Sequence, residues 1–212
     1  MLSKLASGRR RWTLIALLLI VMMGVQPAAR TASKPSESDQ TDTAATTAST
    51  VADGMDVHQD RQLGVKFNYP KTWRVAHSRA DLVVLEAGRA DDLVLIRKTI
   101  LRAKVNATNV ADFRTVTDGI FGDPKANLDV LDTGSVQIGD LPGVFYLYTF
   151  PFESGRGMQA QYFVFEGRNL YTLVFQTRRA KRFASLAPSF DVVLKTFRPT
   201  GTLEPPKESR SK

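Results

Sequence analysis

The chain has 212 residues, of which 43% are hydrophobic and 24% charged, so it fits one or two globular domains and excludes a fibrous or wholly disordered protein. It has no cysteine, which excludes a disulfide scaffold, a thiol nucleophile, a Cys-based zinc site and a lipid anchor on a cysteine. The net charge is +8, but half of this excess lies in residues 1–12, and residues 56–200 carry only +5. The basic balance is therefore no argument for nucleic-acid binding, and we predict no nucleic-acid partner.

Residues 1–29 have the pattern of an export signal. Three consecutive arginines, Arg9 to Arg11, precede an uninterrupted apolar run over residues 14–25. A membrane span needs about 20 apolar residues, so this run has the length of a signal-peptide core. Small residues follow, but the cleavage pattern is poor, so removal of the segment and its retention as an N-terminal membrane anchor both stay open. Either way, the positive charges place the rest of the chain outside the cytoplasm, in a thylakoid lumen or a periplasm.

Two further segments are predicted to be disordered. Residues 30–55 are rich in Thr, Ser, Ala and Asp and contain no aromatic residue, so they cannot bury enough surface to offset their ordering entropy. Residues 201–212 form a short polar tail that contains two consecutive prolines. We therefore predict a linker over 30–55, one folded domain over 56–200 and a tail over 201–212.

Alternating apolar residues dominate the candidate domain. The clearest example is the segment 64–73, where a strand ends at Pro70 and Trp73 is predicted to fold back as an apolar plug for the core. A turn at 88–91 and a tight connection at Gly167-Arg168 predict two hairpins, and we expect 128–138 to be broken near Gly134. The predicted strands are 63–69, 82–87, 93–101, 128–138, 141–150, 159–166 and 169–176.

Two stretches have helical periodicity. Residues 109–121 place apolar side chains on one face and end before Gly122 and Pro124. Residues 183–197 carry an apolar stripe that Pro188 interrupts, which predicts two short helices or one kinked helix. Hairpin-linked strands with these helices indicate an α+β domain, in which a central antiparallel sheet is flanked by helices.

The order of these motifs resembles the PsbP family, extrinsic proteins of the photosystem II oxygen-evolving complex and their bacterial relatives. The resemblance rests on Gly64-Val-Lys-Phe-Asn-Tyr-Pro-Lys-Thr-Trp73, on Gly143-Val-Phe-Tyr-Leu-Tyr-Thr149, on Gln161-Tyr-Phe-Val-Phe-Glu-Gly-Arg-Asn-Leu-Tyr-Thr-Leu173 and on a closing helix with Ser189-Phe190. It covers roughly residues 60–200. One departure is the missing cysteine, because cyanobacterial members usually carry a lipid-anchored cysteine after the signal.

The resemblance implies an α/β/α sandwich and a non-enzymatic accessory or assembly factor. Such a factor would associate with photosystem II core subunits on the lumenal side of the membrane and help to retain calcium and chloride. The alternative is a general extracytoplasmic binding domain for another membrane complex or an anionic lipid surface. The sequence contains no nucleophile-elbow or Walker pattern, so we predict neither an enzyme nor a small-molecule substrate.

Two sets of residues are candidates for binding. His58 and Asp60 could offer a nitrogen and a carboxylate to zinc or calcium, although an exposed loop histidine is the commoner case. Asp91 and Asp92 are predicted to form a solvated turn rather than a cation site. The tyrosines of the later strands (Tyr146, Tyr148, Tyr162 and Tyr171) are expected to form cross-strand or core-edge contacts.

The strongest local charge cluster consists of Arg178, Arg179, Lys181 and Arg182. We place it at the start of the last helix, where the helix dipole favours acidic residues, so helix propensity does not explain it. One interpretation is a solvated face with acidic partners nearby. The other is a docking patch for an acidic protein surface or for anionic lipid headgroups.

Overall fold

Antiparallel sheets and two helices form the part of the chain that the computed structural model describes, which is residues 54–89, 91–152 and 155–201. The predicted signal and nearly all of the predicted linker and tail lie outside these residues. The helices are α1 (Val110–Phe121) and α2 (Phe183–Thr196), with short 3-10 turns at Pro124–Ala126 and Ala180–Arg182. The strands are β1 (Met55–Asp60), β2 (Val65–Pro70), β3 (Arg74–Arg79), β4 (Leu82–Glu86), β5 (Asp92–Val105), β6 (Asp129–Ile138), β7 (Leu141–Phe152), β8 (Gly155–Thr177) and β9 (Arg198–Pro199).

The strands form a small and a large sheet. The small sheet has the order β1-β2-β9, and the large one the order β3-β4-β5-β8-β7-β6, with antiparallel pairing throughout. This connectivity confirms the α+β class with a central antiparallel sheet. No helix in the described ranges is long and apolar enough to cross a bilayer.

The continuous β run of β8 is itself a hairpin. Its first part pairs with β7 up to Val164, and its second part pairs with β5 from Gly167 onward. The rings of Tyr162 and Phe175 lie 5.8 Å apart, whereas an extended chain would separate them by roughly 40 Å. Gly167 has a φ of 60°, which glycine adopts without strain, and so it allows the fold-back. The predicted hairpin connection at Gly167-Arg168 is therefore confirmed.

The main core lies between one face of the large sheet and a layer made of α2 and the small sheet. Trp73 is 8% exposed and meets Phe190 of α2 edge-on at 5.9 Å, which confirms its predicted role as a core plug. The other large side chains of this core that are fully buried include Phe67, Leu85, Ile96, Tyr171, Leu173, Phe175 and Phe197.

The opposite face of the large sheet carries α1. Phe113 packs on Phe163 and Phe165 at ring distances of 5.4 and 4.7 Å, and Phe121 stacks on Tyr146 at 4.0 Å. Phe163 and Phe165 alternate along β8 with side chains that point into the main core, so α1 and α2 lie on opposite faces. The domain is thus an α/β/α sandwich.

Several details differ from the sequence-based expectations. Strands β1, β3 and β9 were not predicted. β6 is not broken at Gly134; its register shifts between Val130 and Asp132 instead. The ring of Phe145 packs directly against Gly134, and a Cβ at this position would lie 2.9 Å from Phe145 Cε1. Of the two alternatives predicted for 183–197, the split into two short helices is wrong, because α2 runs through Pro188 as one helix.

Candidate functional site

The predicted basic segment lies between the end of β8 and the start of α2, so it precedes the helix and does not form its first turn. Arg178 Nη1 lies 3.4 Å from Asp91 Oδ1, and its guanidinium covers the ring of Phe152 at 4.7 Å. Arg182 Nη2 lies 2.7 Å from Asp92 Oδ2. Two of the four predicted docking residues therefore have acidic partners within the domain.

Asp92 is fully buried, so the prediction of a solvated turn at Asp91 and Asp92 is wrong for Asp92. Its Oδ1 accepts a hydrogen bond from Thr177 Oγ at 2.7 Å. Its Oδ2 faces Arg182, in an ion pair that lacks the angles of a hydrogen bond. A buried carboxylate needs a charged partner, and Arg182 supplies it from a segment far away in the sequence.

Arg179 and Lys181 are the exposed members of the segment. Among the described residues, neither side chain has an ion-pair partner. Because Arg178 and Arg182 are held by Asp91 and Asp92, the backbone between them is fixed. Two free cations are thus presented to solvent from a fixed segment.

The structure brings His58 and Asp60 onto the same short strand, β1. The His58 ring packs on Phe67 at 5.0 Å, and burial lowers the pKa of His58 although the Asp60 charge opposes this. Burial alone would raise the pKa of Asp60, but hydrogen bonds from Ser78 Oγ and from the N–H groups of Leu63 and Gln62 lower it below its usual value. Asp60 therefore stabilises the turn between β1 and β2.

The metal interpretation gains no further ligands from the fold. His58 Nε2 is buried without a hydrogen-bond partner among the described residues. Within those residues, no group of three or more His, Asp or Glu side chains is arranged to hold a metal ion. Zinc or calcium binding at His58 and Asp60 stays a prediction.

A groove lies between α2 and the β6–β7–β8 part of the large sheet. We call it the α2 groove; its volume is about 540 Å³, which lies in the range of ligand and peptide sites. Most of its wall is apolar. It is lined by Asp132, Phe145, Leu147, Ala160, Tyr162, Phe175, Phe183, Ala184, Ala187, Pro188, Phe190, Asp191 and Leu194.

Five aromatic rings form a continuous series along this groove. Phe145 stacks on Tyr162 at 5.8 Å, and Tyr162 meets Phe175 edge-on at 5.8 Å. Phe175 then contacts Phe190 at 5.1 Å, and Phe190 contacts Phe183 at 5.5 Å. The series runs from the sheet wall to the helix wall; Phe175 and Phe190 are buried within it, and Phe145, Tyr162 and Phe183 are its partly exposed members.

Two carboxylates accompany these rings. Asp132 of β6 and Asp191 of α2 approach the groove from its two sides, and both residues are exposed. Burial raises the pKa of Tyr162, and the charges of Asp191 and Asp132 raise it further. The groove is thus an apolar, aromatic site with a negative potential.

Sequence reasoning found one wall of this groove and missed the other. The apolar stripe of 183–197 marked the helix face, but the sheet wall comes from three strands whose pairing no local pattern reveals. Asp132 and Asp191 lie far apart in the sequence, so no motif links them. The expected cross-strand contacts of the tyrosines are confirmed for Tyr146 and Tyr162, both of which contact aromatic rings of neighbouring strands.

Comparisons with known proteins relate the chain to others by structure. The cyanobacterial PsbP protein CyanoP from Synechocystis sp. PCC 6803 matches with a TM-score of 0.51 and 14% identity, over 73% of this chain and 98% of that chain. LpqN, involved in cell envelope biogenesis of Mycobacterium tuberculosis, gives 0.47 and 12%, over 68% and 88%. The Ran-binding protein Mog1p of Saccharomyces cerevisiae gives 0.46 and 9%, over 69% and 95%.

The likeness to CyanoP defines the class of the domain, which is a PsbP-like α+β fold. No family model matches the chain. No curated protein matches its sequence either. At 14% identity the likeness shows the fold alone, so membership of the PsbP family stays a prediction.

Proposed function

We propose that this protein is an exported, non-enzymatic accessory factor of the PsbP type that docks on a membrane protein complex. In a photosynthetic host the partner is the lumenal side of the photosystem II core, and the role is assembly or the retention of calcium and chloride. In any other host the partner is an envelope complex on the outer side of the membrane. The predicted export signal and the PsbP-like fold support this proposal.

One observation carries the docking proposal: the fixed presentation of Arg179 and Lys181. Their neighbours are held to Asp91 and Asp92, so little backbone freedom is lost when a partner binds. Free cations at the rim of an interface mainly raise the association rate and choose a partner of opposite charge. An acidic protein surface is therefore the partner that this segment fits.

The test is a pull-down from solubilised membranes of the host with the tagged full-length chain. We expect R179Q/K181Q to retain at least roughly fivefold less of the membrane complex than the wild type at low salt, because two rim charges are lost. The matched control is R61Q/K71Q, which removes one arginine and one lysine that are exposed elsewhere. Mass spectrometry identifies the retained subunits.

Three results would contradict the proposal or a part of it. Equal retention by all three proteins would exclude docking through Arg179 and Lys181. Binding of the wild type to phosphatidylglycerol vesicles, together with no membrane protein in the eluate, would replace the protein partner by a lipid surface. In a phototroph, an eluate that contains another complex but no photosystem II subunit would refute the photosystem assignment.

A further inference from the structure

The α2 groove has a binding chemistry opposite to that of the basic segment. Its ionisable lining residues are Asp132, Asp191 and Tyr162, and it offers no lysine or arginine in its wall. Asp191 forms an ion pair with Lys195 at 2.6 Å, but the Lys195 side chain is 74% exposed. An exposed pair within one helix contributes little, so a bound cation can compete for Asp191.

The aromatic wall adds to this preference for a cation. A lysine or arginine side chain can place its apolar stem along the half-buried rings of Phe145 and Tyr162 and keep its charge near the carboxylates.

The strand next to the groove can hold the rest of such a ligand. β6 is the terminal strand of the large sheet and pairs only with β7 among the described strands. Val130 and Leu131, which precede Asp132, are 38% and 55% exposed. A free strand edge with exposed apolar side chains is the surface on which an extended peptide adds as a further strand.

We propose that the α2 groove and the β6 edge together bind an extended segment of a partner protein, which inserts a lysine or arginine side chain between Asp132 and Asp191. The backbone of that segment pairs with β6, and its apolar side chains on the face away from the groove cover Val130, which lies opposite Tyr148 on the α1 face. The occupant is a protein segment rather than a free organic cation, because the strand edge and the groove are continuous. This site is independent of Arg179 and Lys181, so either proposal can fail alone.

The probe is the peptide acetyl-Val-Lys-Val-Lys-Val-Lys-amide, titrated into the ¹⁵N-labelled full-length chain and followed by NMR. We expect amide shifts confined to β6 and α2, and affinity that falls with added salt. The same peptide with glutamate in place of lysine should not bind. Two N-methylated versions of the peptide are made, one for each of the two alternating sets of amides, which we call its two registers. At most one version should bind, because one set of amides must face β6.

Two variants test the site itself. D132N/D191N should weaken binding about tenfold, since it removes both charges but keeps oxygen acceptors and changes only exposed side chains. The matched control D56N/D140N, two exposed carboxylates outside the groove, should bind within about twofold of the wild type. A187W should abolish binding by filling the groove, and circular dichroism checks its fold.

The outcomes separate the alternatives. Unchanged affinity of D132N/D191N, or shifts that map elsewhere, overturns the proposal. If n-butylammonium binds as tightly as the peptide and shifts the same amides, the groove is a site for a free organic cation and the protein-segment proposal is wrong. Equal binding of both N-methylated registers would remove the β6 edge from the site.

Discussion

The buried ion pair of Asp92 and Arg182 gives the sharpest test of how the domain is held together. R182M leaves a fully buried carboxylate with a single hydrogen bond, from Thr177, and breaking a buried pair in this way costs about 3–5 kcal/mol. D92A should cost less, about 2–3 kcal/mol. It loses charge-assisted contacts, but the Arg182 side chain is already 29% exposed and can turn to water. The expected order of stability is therefore wild type, then D92A, then R182M.

The assay is urea unfolding of the full-length chain, followed by far-UV circular dichroism. The double variant D92L/R182M replaces the pair by apolar side chains and should recover most of the loss, since such replacements are often close to neutral. The single variant D92L completes the cycle with R182M and the double variant, and the coupling energy should be at least about 3 kcal/mol. The reasoning is refuted if R182M costs less than about 0.5 kcal/mol, or if the two single changes simply add.

Two further predictions concern stability. Burial lowers the pKa of His58, so the folded state binds fewer protons than the unfolded state as the pH falls below about 6.5, and stability is lost there. H58F keeps the ring contact with Phe67 and should lose less stability than the wild type in urea unfolding between pH 7.5 and 5.5; an identical loss would contradict this cause. A Cβ at Gly143 would lie 2.6 Å from the Phe163 carbonyl oxygen, so G143A should cost about 1–3 kcal/mol. The control G119A, in α1 with open space around it, should stabilise by up to about 1 kcal/mol, and a G143A variant as stable as the wild type would refute the close approach.

The parts of the fold that the sequence predicts are those with strong local signals. The strand before Pro70, the Gly167-Arg168 hairpin and the apolar stripe of α2 each combine periodicity with a turn or breaker residue. β1 and β3 were not predicted because they are edge strands that are rich in charged and polar side chains and bury little on one face. Their period-2 signal is correspondingly faint.

The candidate sites were less predictable because they depend on contacts between distant segments. Asp92 looks like a turn residue until Arg182 is placed beside it, and only then does its burial become understandable. The same contact explains why the basic segment need not oppose the dipole of α2. From the sequence alone, the four basic residues of this segment look equivalent. In the fold, Arg178 and Arg182 form ion pairs within the domain, whereas Arg179 and Lys181 have no ion-pair partner among the described residues.

This division gives the basic segment a physical link to the core. Asp92 is the first residue of β5, which lies at the centre of the large sheet. Through its ion pair with Arg182, the Asp92 carboxylate fixes the backbone that carries Arg179 and Lys181. A loss of this pair should therefore reduce both stability and docking, whereas R179Q/K181Q should reduce docking alone. The α2 groove stays outside this link, because its charges come from β6 and the middle of α2. The domain thus presents a cationic and an anionic surface that can be altered separately.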